Sequence, residues 1–226
     1  MGEGDVNETP PTTDPSFDRQ VICATTPFQS LFGLPVGKPI MPAQVARRLF
    51  TVEEYHRMGE GGILAVNEHL ELIEGEILKR SPITSRHAAC VMRSNATFSN
   101  VLGDLAIISV HNPVVLNEYS EPEPDLAILK RRDDFYSQFH PGPADIFLVI
   151  EIAETSVAYE REVKLPVYAS SGVQEVWLAD IPAETVTAHT EPANGVYRAV
   201  RSYQRGDSIT PVHFPDLSIE VVSILG

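Results

Sequence analysis

One glutamate inside an apolar run constrains this chain more than any other feature. Phe147-Leu148-Val149-Ile150-Glu151-Ile152-Ala153 reads as a buried strand, and Glu151 interrupts it. A carboxylate in such a run is costly unless it is paired or bound to a cation. A second apolar run, Leu126 to Leu129, is opened by Asp125. If the two runs are neighbouring antiparallel strands, the start of one lies beside the end of the other. Both carboxylates then converge at one edge of a sheet. Pro124 supports that placement, because it biases Glu123 toward extended backbone just ahead of Asp125. Converging carboxylates with a lysine nearby are the groups that hold a divalent cation and activate water for phosphodiester cleavage. Lys164, on the helical stretch that follows, supplies the lysine.

Plainer explanations stand beside that one. Asp125 also fits a strand-opening turn, and Glu151 fits a buried salt bridge to Lys164. Glu160, Lys164 and Tyr168 fall one helical turn apart and form a single stripe. A Glu-to-Lys pair at that spacing is also the ordinary solvated pair, worth about 0.2–0.5 kcal/mol.

At 226 residues, 43% of them apolar, the chain suits one domain with a substantial core. No apolar stretch approaches the roughly 18–20 residues of a membrane span. The N-terminus carries Glu3, Asp5 and Glu8 where a secretory signal would be basic, so a cytoplasmic location is expected. Cys23 and Cys90 make no zinc motif and are expected to be small buried hydrophobes. The formal charge of −14 opposes nucleic-acid binding unless the bases are concentrated locally. Two clusters qualify as backbone contacts: Lys79 and Arg80 with Arg86, and Lys130-Arg131-Arg132. The second lies at the far end of its strand, roughly 17 Å from Asp125 at ~3.3 Å per residue.

Residues 1–18 hold five acids, three prolines and no Lys or Arg, which predicts a disordered acidic tail. Residues 19–49 are more apolar but broken by Pro27, Pro35, Pro39 and Pro42, which predicts an arm packed on the domain or on a second subunit. The domain, 50–226, opens with Thr51-Val52-Glu53-Glu54, a capping box ahead of a short helix to about Met58. Leu70 to Leu78 reads as two strands turning at Glu74-Gly75. Ser85 is placed to cap a helix through about Leu102, with Met92, Ala96 and Leu105 among its apolar positions.

Strands are expected at Ala106 to Leu116, Leu126 to Leu129, Ile146 to Ile152, Glu175 to Leu178, Thr185 to Thr190, Tyr197 to Tyr203 and Leu217 to Val222. A helix from about Val157 to Ser171 should kink or divide at Pro166 and close at Gly172. Asn194-Gly195 signals a hairpin. The sum is an α/β (α+β) fold, a mixed central sheet flanked by helices. Trp177 is expected in the core. Apart from His87, the histidines show no metal-ligand spacing.

Taken in order, Glu71-Leu72-Ile73-Glu74-Gly75-Glu76-Ile77, Pro82 and His87, Pro124-Asp125-Leu126, Val149-Ile150-Glu151-Ile152, Lys164 with Tyr168, and Gly172 to Leu178 resemble the Uma-type family of restriction endonucleases, within the PD-(D/E)XK nuclease superfamily. The resemblance spans about residues 50–223. It implies a restriction-endonuclease-like core with additional N- and C-terminal strands, DNA hydrolysis with Mg²⁺ or Mn²⁺, and metal ligands at Asp125 and Glu151. The superfamily's usual lysine, two positions after the second acid, is Ala153 here; the Uma-type pattern takes it from the next helix, which Lys164 matches. Glu71 matches the acid of the first strand. His87 and Tyr168 match the pattern, and the acid four positions before Lys164 also fits, although it is Glu160 where Asp is expected; the three are suited to contacting phosphate or tuning the metal site.

The leading expectation is therefore a metal-dependent endodeoxyribonuclease acting on DNA, with a homodimer or higher homo-oligomer as the natural form for cutting a duplex. The alternatives are a non-catalytic, oligomerising protein-interaction module on the same fold, which the net charge favours, and hydrolysis of a smaller phosphoester.

Overall fold

The computed structural model describes residues 46–65 and 68–226; the acidic tail and most of the arm lie outside them, as does Cys23. From Ala46 onward the chain forms one compact unit. Helix α1 (Val52–Glu60) starts at Thr51, whose hydroxyl accepts from the Glu54 amide while the Glu54 carboxylate accepts from the Thr51 amide. Strands β1 (Leu70–Ile73) and β2 (Glu76–Lys79) form a hairpin. Its two-residue turn, Glu74-Gly75, places both residues at positive φ (49° and 80°), the geometry that matches strand twist. Helix α2 (Ser85–Leu102) follows.

The central sheet has six strands in chain order: β3 (Ala106–Val110), β4 (Leu126–Lys130), β5 (Ile146–Ala153), β6 (Glu175–Asp180), β7 (Thr185–Ala193) and β8 (Val196–Gln204). Only β5 and β6 run parallel, so this join needs a crossover, and helix α3 (157–170) supplies it. All other neighbours in the sheet are antiparallel, which makes it mixed. The β7–β8 hairpin turns at Asn194-Gly195, again both at positive φ. A short pair, β9 (Ser208–Ile209) with β10 (Ile219–Glu220), and helix α4 (Val222–Leu225) end the chain.

Alternation along the buried strands splits the core in two. Leu126, Ile128, Leu148, Ile150, Ile152 and Trp177 face α2 and α4. Ala127, Leu129, Val149, Ala153, Val176 and Leu178 face α3. By the same period of two, Glu151 falls on the α3 face. Trp177 is fully buried against Phe98, the core position expected of it.

Helix α3 is not regular. Leu165 donates its amide to the Glu160 carbonyl, an i→i−5 bond that marks a π-helical turn over Glu160–Lys164. Pro166 then sits in the first turn of the α-helical piece Leu165–Ser170, where its missing donor does least harm. The break expected at Pro166 thus takes the form of a π-turn just before it.

Four local expectations need correction. The residue that caps α2 is Thr84, not Ser85: its side chain accepts from the His87 amide. Met92, Ala96 and Leu105 are exposed, and the buried stripe of α2 is Cys90, Val91, Ser94, Phe98 and Leu102. The strand expected to reach Leu116 stops at Val110, because His111 takes positive φ (52°) and turns the chain. The last expected strand is two residues long and gives way to α4. Among the described residues, no helix is long and apolar enough to cross a membrane.

Candidate active site

The β4–β5 register pairs Leu126 with Ile150, so the next residues along, Asp125 and Glu151, meet at one edge of the sheet. Asp125 is fixed there by the strand it faces: the Ile152 amide donates to its Oδ2 at 2.8 Å. Both side chains are 2% exposed.

Glu151 points at α3. Tyr168 donates its hydroxyl to Glu151 Oε1 at 2.6 Å, and Lys164 Nζ lies 2.7 Å from the same oxygen. Lys164 also stands 3.4 Å from Glu71 Oε2 and 3.7 Å from Glu160 Oε2. Its ammonium is buried among three carboxylates. Glu71 arrives on β1, held by the Tyr159 hydroxyl (2.9 Å) and the Glu123 amide (3.3 Å). The π-turn therefore carries two charged members of the site, Glu160 and Lys164, both buried.

Asp125 is ringed by a guanidinium and two imidazoles. Arg80, one residue past β2, places Nη2 3.1 Å from Oδ1 and Nη1 3.6 Å from Glu123 Oε2. His87, oriented by the Thr84 cap at the start of α2, brings Nε2 within 3.1 Å of Oδ2. His111 Nε2 lies 3.2 Å from Oδ1, at the turn that ends β3. Burial by itself would raise the pKa of Asp125. The two imidazoles and the Lys164 charge override it and hold the carboxyl well below the usual range.

Glu151 and Glu160 go the other way. Burial comes first for both; with the charges of Glu160 and Asp125 on Glu151, and of Asp125 and Glu71 on Glu160, it outweighs Lys164 and pushes both carboxyls up. Burial opposes charge on Lys164 as well, yet the carboxylates around it hold its pKa well above normal. The site thus gathers acids around one ammonium on the Glu151 side and sets Arg80 and two imidazoles around the carboxylate on the Asp125 side. Two buried oxygens, Glu151 Oε2 and Glu160 Oε2, have no hydrogen-bond partner.

A cleft of about 420 Å³ opens onto this cluster, lined by Glu71, Arg80, Thr84, His87, Asp125 and Glu160 among others. The remaining basic candidates lie apart from the carboxylates. Lys79 lines the cleft and pairs with Glu68, and Arg86 pairs with Glu154. Lys130 ends β4, exposed. Arg131 reaches Asp104, and Arg132 pairs with Asp134 while stacking on Tyr136 and Phe139.

Sequence reasoning missed His111 and Tyr159, and it assigned Arg80 only to a DNA backbone contact. Register held a signal for His111. Val110 pairs with Leu126, so the next step of that ladder sets His111 beside Asp125. Nothing local marked Tyr159, whose partner Glu71 lies far away in sequence.

A mixed sheet thus gathers at one edge two acids, a lysine from the following helix and an acid from a leading hairpin. Residues 52–223 match the profile of the Uma2 family, described as "Putative restriction endonuclease", and the chain belongs to that family. Among solved structures it is similar to one from Anabaena variabilis ATCC 29413, described as "a putative nuclease belonging to DUF820". The two share 16% identity with a TM-score of 0.61, over 78% of this chain and 97% of that one. No curated protein sequence matches significantly.

Proposed function

We propose that this protein is a metal-dependent endodeoxyribonuclease, with Asp125 and Glu151 holding a Mg²⁺ or Mn²⁺ ion. One observation carries the proposal: Glu151 Oε2 and Glu160 Oε2 are buried carboxylate oxygens that accept no hydrogen bond, beside further acids, and Glu160 Oε2 has only the Lys164 ammonium at 3.7 Å. Each buried acceptor left open costs about 1–3 kcal/mol, more when charged, and a cation removes that cost. The donor set is oxygen only, which suits Mg²⁺ or Mn²⁺ better than softer metals. Membership of the Uma2 family points to the same chemistry.

When bound, the ion would lower the pKa of a coordinated water and polarise a phosphoryl oxygen. The chain's own residues do the positioning. The Ile152 amide fixes one Asp125 oxygen, and Tyr168 and Lys164 fix one Glu151 oxygen, leaving the other free. Lys164 keeps a positive charge next to the ligands and supports negative charge developing on the scissile phosphate. Arg80 and His87 face the cleft, where they can donate to a phosphate once the ion takes over the charge of Asp125. Lys79 and Arg86 extend that surface for flanking phosphates, while Lys130, Arg131 and Arg132 serve only a distant contact. A two-fold dimer would present two such centres to the strands of a duplex.

The test is cleavage of supercoiled and single-stranded DNA with Mn²⁺, run beside Glu151→Ala and with metal titration of both proteins. Cleavage that requires metal and vanishes in the variant is expected. A wild type that neither cleaves nor binds metal would overturn the proposal.

A further inference from the structure

We propose that His56, Glu121 and His140 form a second cation site, separate from the first, that takes Zn²⁺. The three residues come from distant parts of the chain: His56 from α1, Glu121 from a backbone bridge to Leu72 on β1, and His140 from the loop ahead of β5. One ligand atom from each lies within 4.8 Å of the other two. His56 Nε2 is already 2.7 Å from Glu121 Oε2, and the two imidazoles meet edge-on at 6.0 Å between centroids.

Tetrahedral zinc with bonds of ~2.0–2.1 Å sets its ligand atoms about 3.4 Å apart. Reaching that spacing draws the more distant atoms in by up to about 1.4 Å and opens the 2.7 Å His56–Glu121 pair by about 0.7 Å, shifts that exposed imidazoles can make by small side-chain rotations. Glu121 is the anchor. It is 4% exposed, and its backbone is bonded to Leu72 in both directions, at 2.7 and 3.3 Å. A buried carboxylate facing two imidazoles is a donor set for zinc; an oxygen-only set would favour Mg²⁺ or Ca²⁺. Three protein ligands leave the fourth position open. It faces a cleft of about 450 Å³ that His56 and His140 line together with Tyr55, Glu60, Leu64 and Glu123. A water there would complete the shell.

This centre is not a second metal of the nuclease site. Val114 and His111 donate their amides to the Pro122 and Asp125 carbonyls, which keeps the segment between Glu121 and Asp125 extended. Four extended residues span roughly 12–13 Å, against the ~3.5–4 Å of a two-metal pair. What the ion would do is tie α1 and the His140 loop to the strand that carries Glu71.

The test uses the whole chain, stripped with chelator and titrated with Zn²⁺ by calorimetry and with Co²⁺ by visible absorption. Wild type, Glu151→Gln and the double variant His56→Ala/His140→Ala are compared, with His140→Ala alone as a second variant whose change lies in a loop. Wild type and Glu151→Gln should both bind at this site and show the intense visible bands of tetrahedral Co²⁺. The double variant should lose roughly 100-fold or more in affinity, together with those bands and with any zinc-induced rise in melting temperature. Unchanged Zn²⁺ affinity in both His variants, binding abolished by Glu151→Gln, or no Zn²⁺ binding by wild type would overturn the proposal.

Discussion

Lys164 Nζ lies 2.7 Å from Glu151 Oε1 with both side chains buried, and Glu71 and Glu160 share the same ammonium. The pair is therefore unequal in its dependence. Lys164 has three acidic neighbours, whereas the carboxylates have one ammonium among them.

That inequality predicts stability effects of very different size. Lys164→Met would leave Glu71, Glu151 and Glu160 buried without their cation and should cost about 3–5 kcal/mol. Glu151→Gln keeps the shape, and Lys164 retains two partners, so stability should stay within about 1 kcal/mol of wild type. Urea denaturation of metal-free protein measures both. A Lys164→Met variant as stable as wild type would show that the ammonium is not the cluster's structural counter-charge.

Gly75 is expected to tolerate no side chain. A Cβ built there would come 2.6 Å from Leu49 Cβ and 3.1 Å from Leu49 Cα, and the residue holds φ of 80°. Left-handed backbone costs an L-residue about 1–2 kcal/mol, and overpacking about 1–3 kcal/mol more. Gly75→Ala should lower stability by roughly 2–5 kcal/mol. It should also shift the hairpin that positions Glu71, which thermal melting and the metal-binding isotherm would both register.

The middle of the sheet was legible from sequence because β4 and β5 are continuous apolar runs, and the β7–β8 hairpin was marked by Asn194-Gly195. Two such runs, with Asp125 opening one and Glu151 near the end of the other, were enough to bring both acids together. Pro166 likewise betrayed the irregularity in α3, although the π-turn itself leaves no signature beyond that proline. Helix α2 was misread because apolar residues lie all around it: Met92 is 65% exposed while Ser94 is buried. Side chains that converge from distant segments had no local signal at all. Tyr159 on Glu71, Arg80 on Asp125 and the pairing of His56 with His140 depend on tertiary contacts that no window of sequence contains.

Arg80 offers a functional prediction. Its guanidinium is shared by Asp125 and Glu123, and the side chain lines the cleft. If it donates to a substrate phosphate, Arg80→Ala should cut DNA cleavage by roughly 10–100-fold and reduce the salt slope of DNA binding by about one. Arg132→Ala, which removes a side chain stacked on Tyr136 and Phe139 at the other end of β4, should leave the cleavage rate at low salt within about twofold of wild type. Cleavage rates across a salt series separate the two.

His189 on β7 should make stability fall with acid. Its Nε2 is buried without a partner, and its ring packs edge-on to Tyr197. Burial, helped by the nearby Arg161 charge, pushes its pKa down to about 4 from the ordinary 6.5. Folding therefore favours the neutral ring. Above pH ~6.5 the ring is neutral in both states and stability is complete. As pH falls from about 6.5 toward about 4, the unfolded chain takes up the proton first and stability is lost. The loss should be on the order of 1–2 kcal/mol, allowing for partial solvent screening. Replacing His189 with Gln removes the titration and should flatten that part of the stability profile. Urea midpoints measured at half-unit steps between pH 4 and 7 for both proteins decide it: parallel curves would mean that His189 titrates normally in the folded chain.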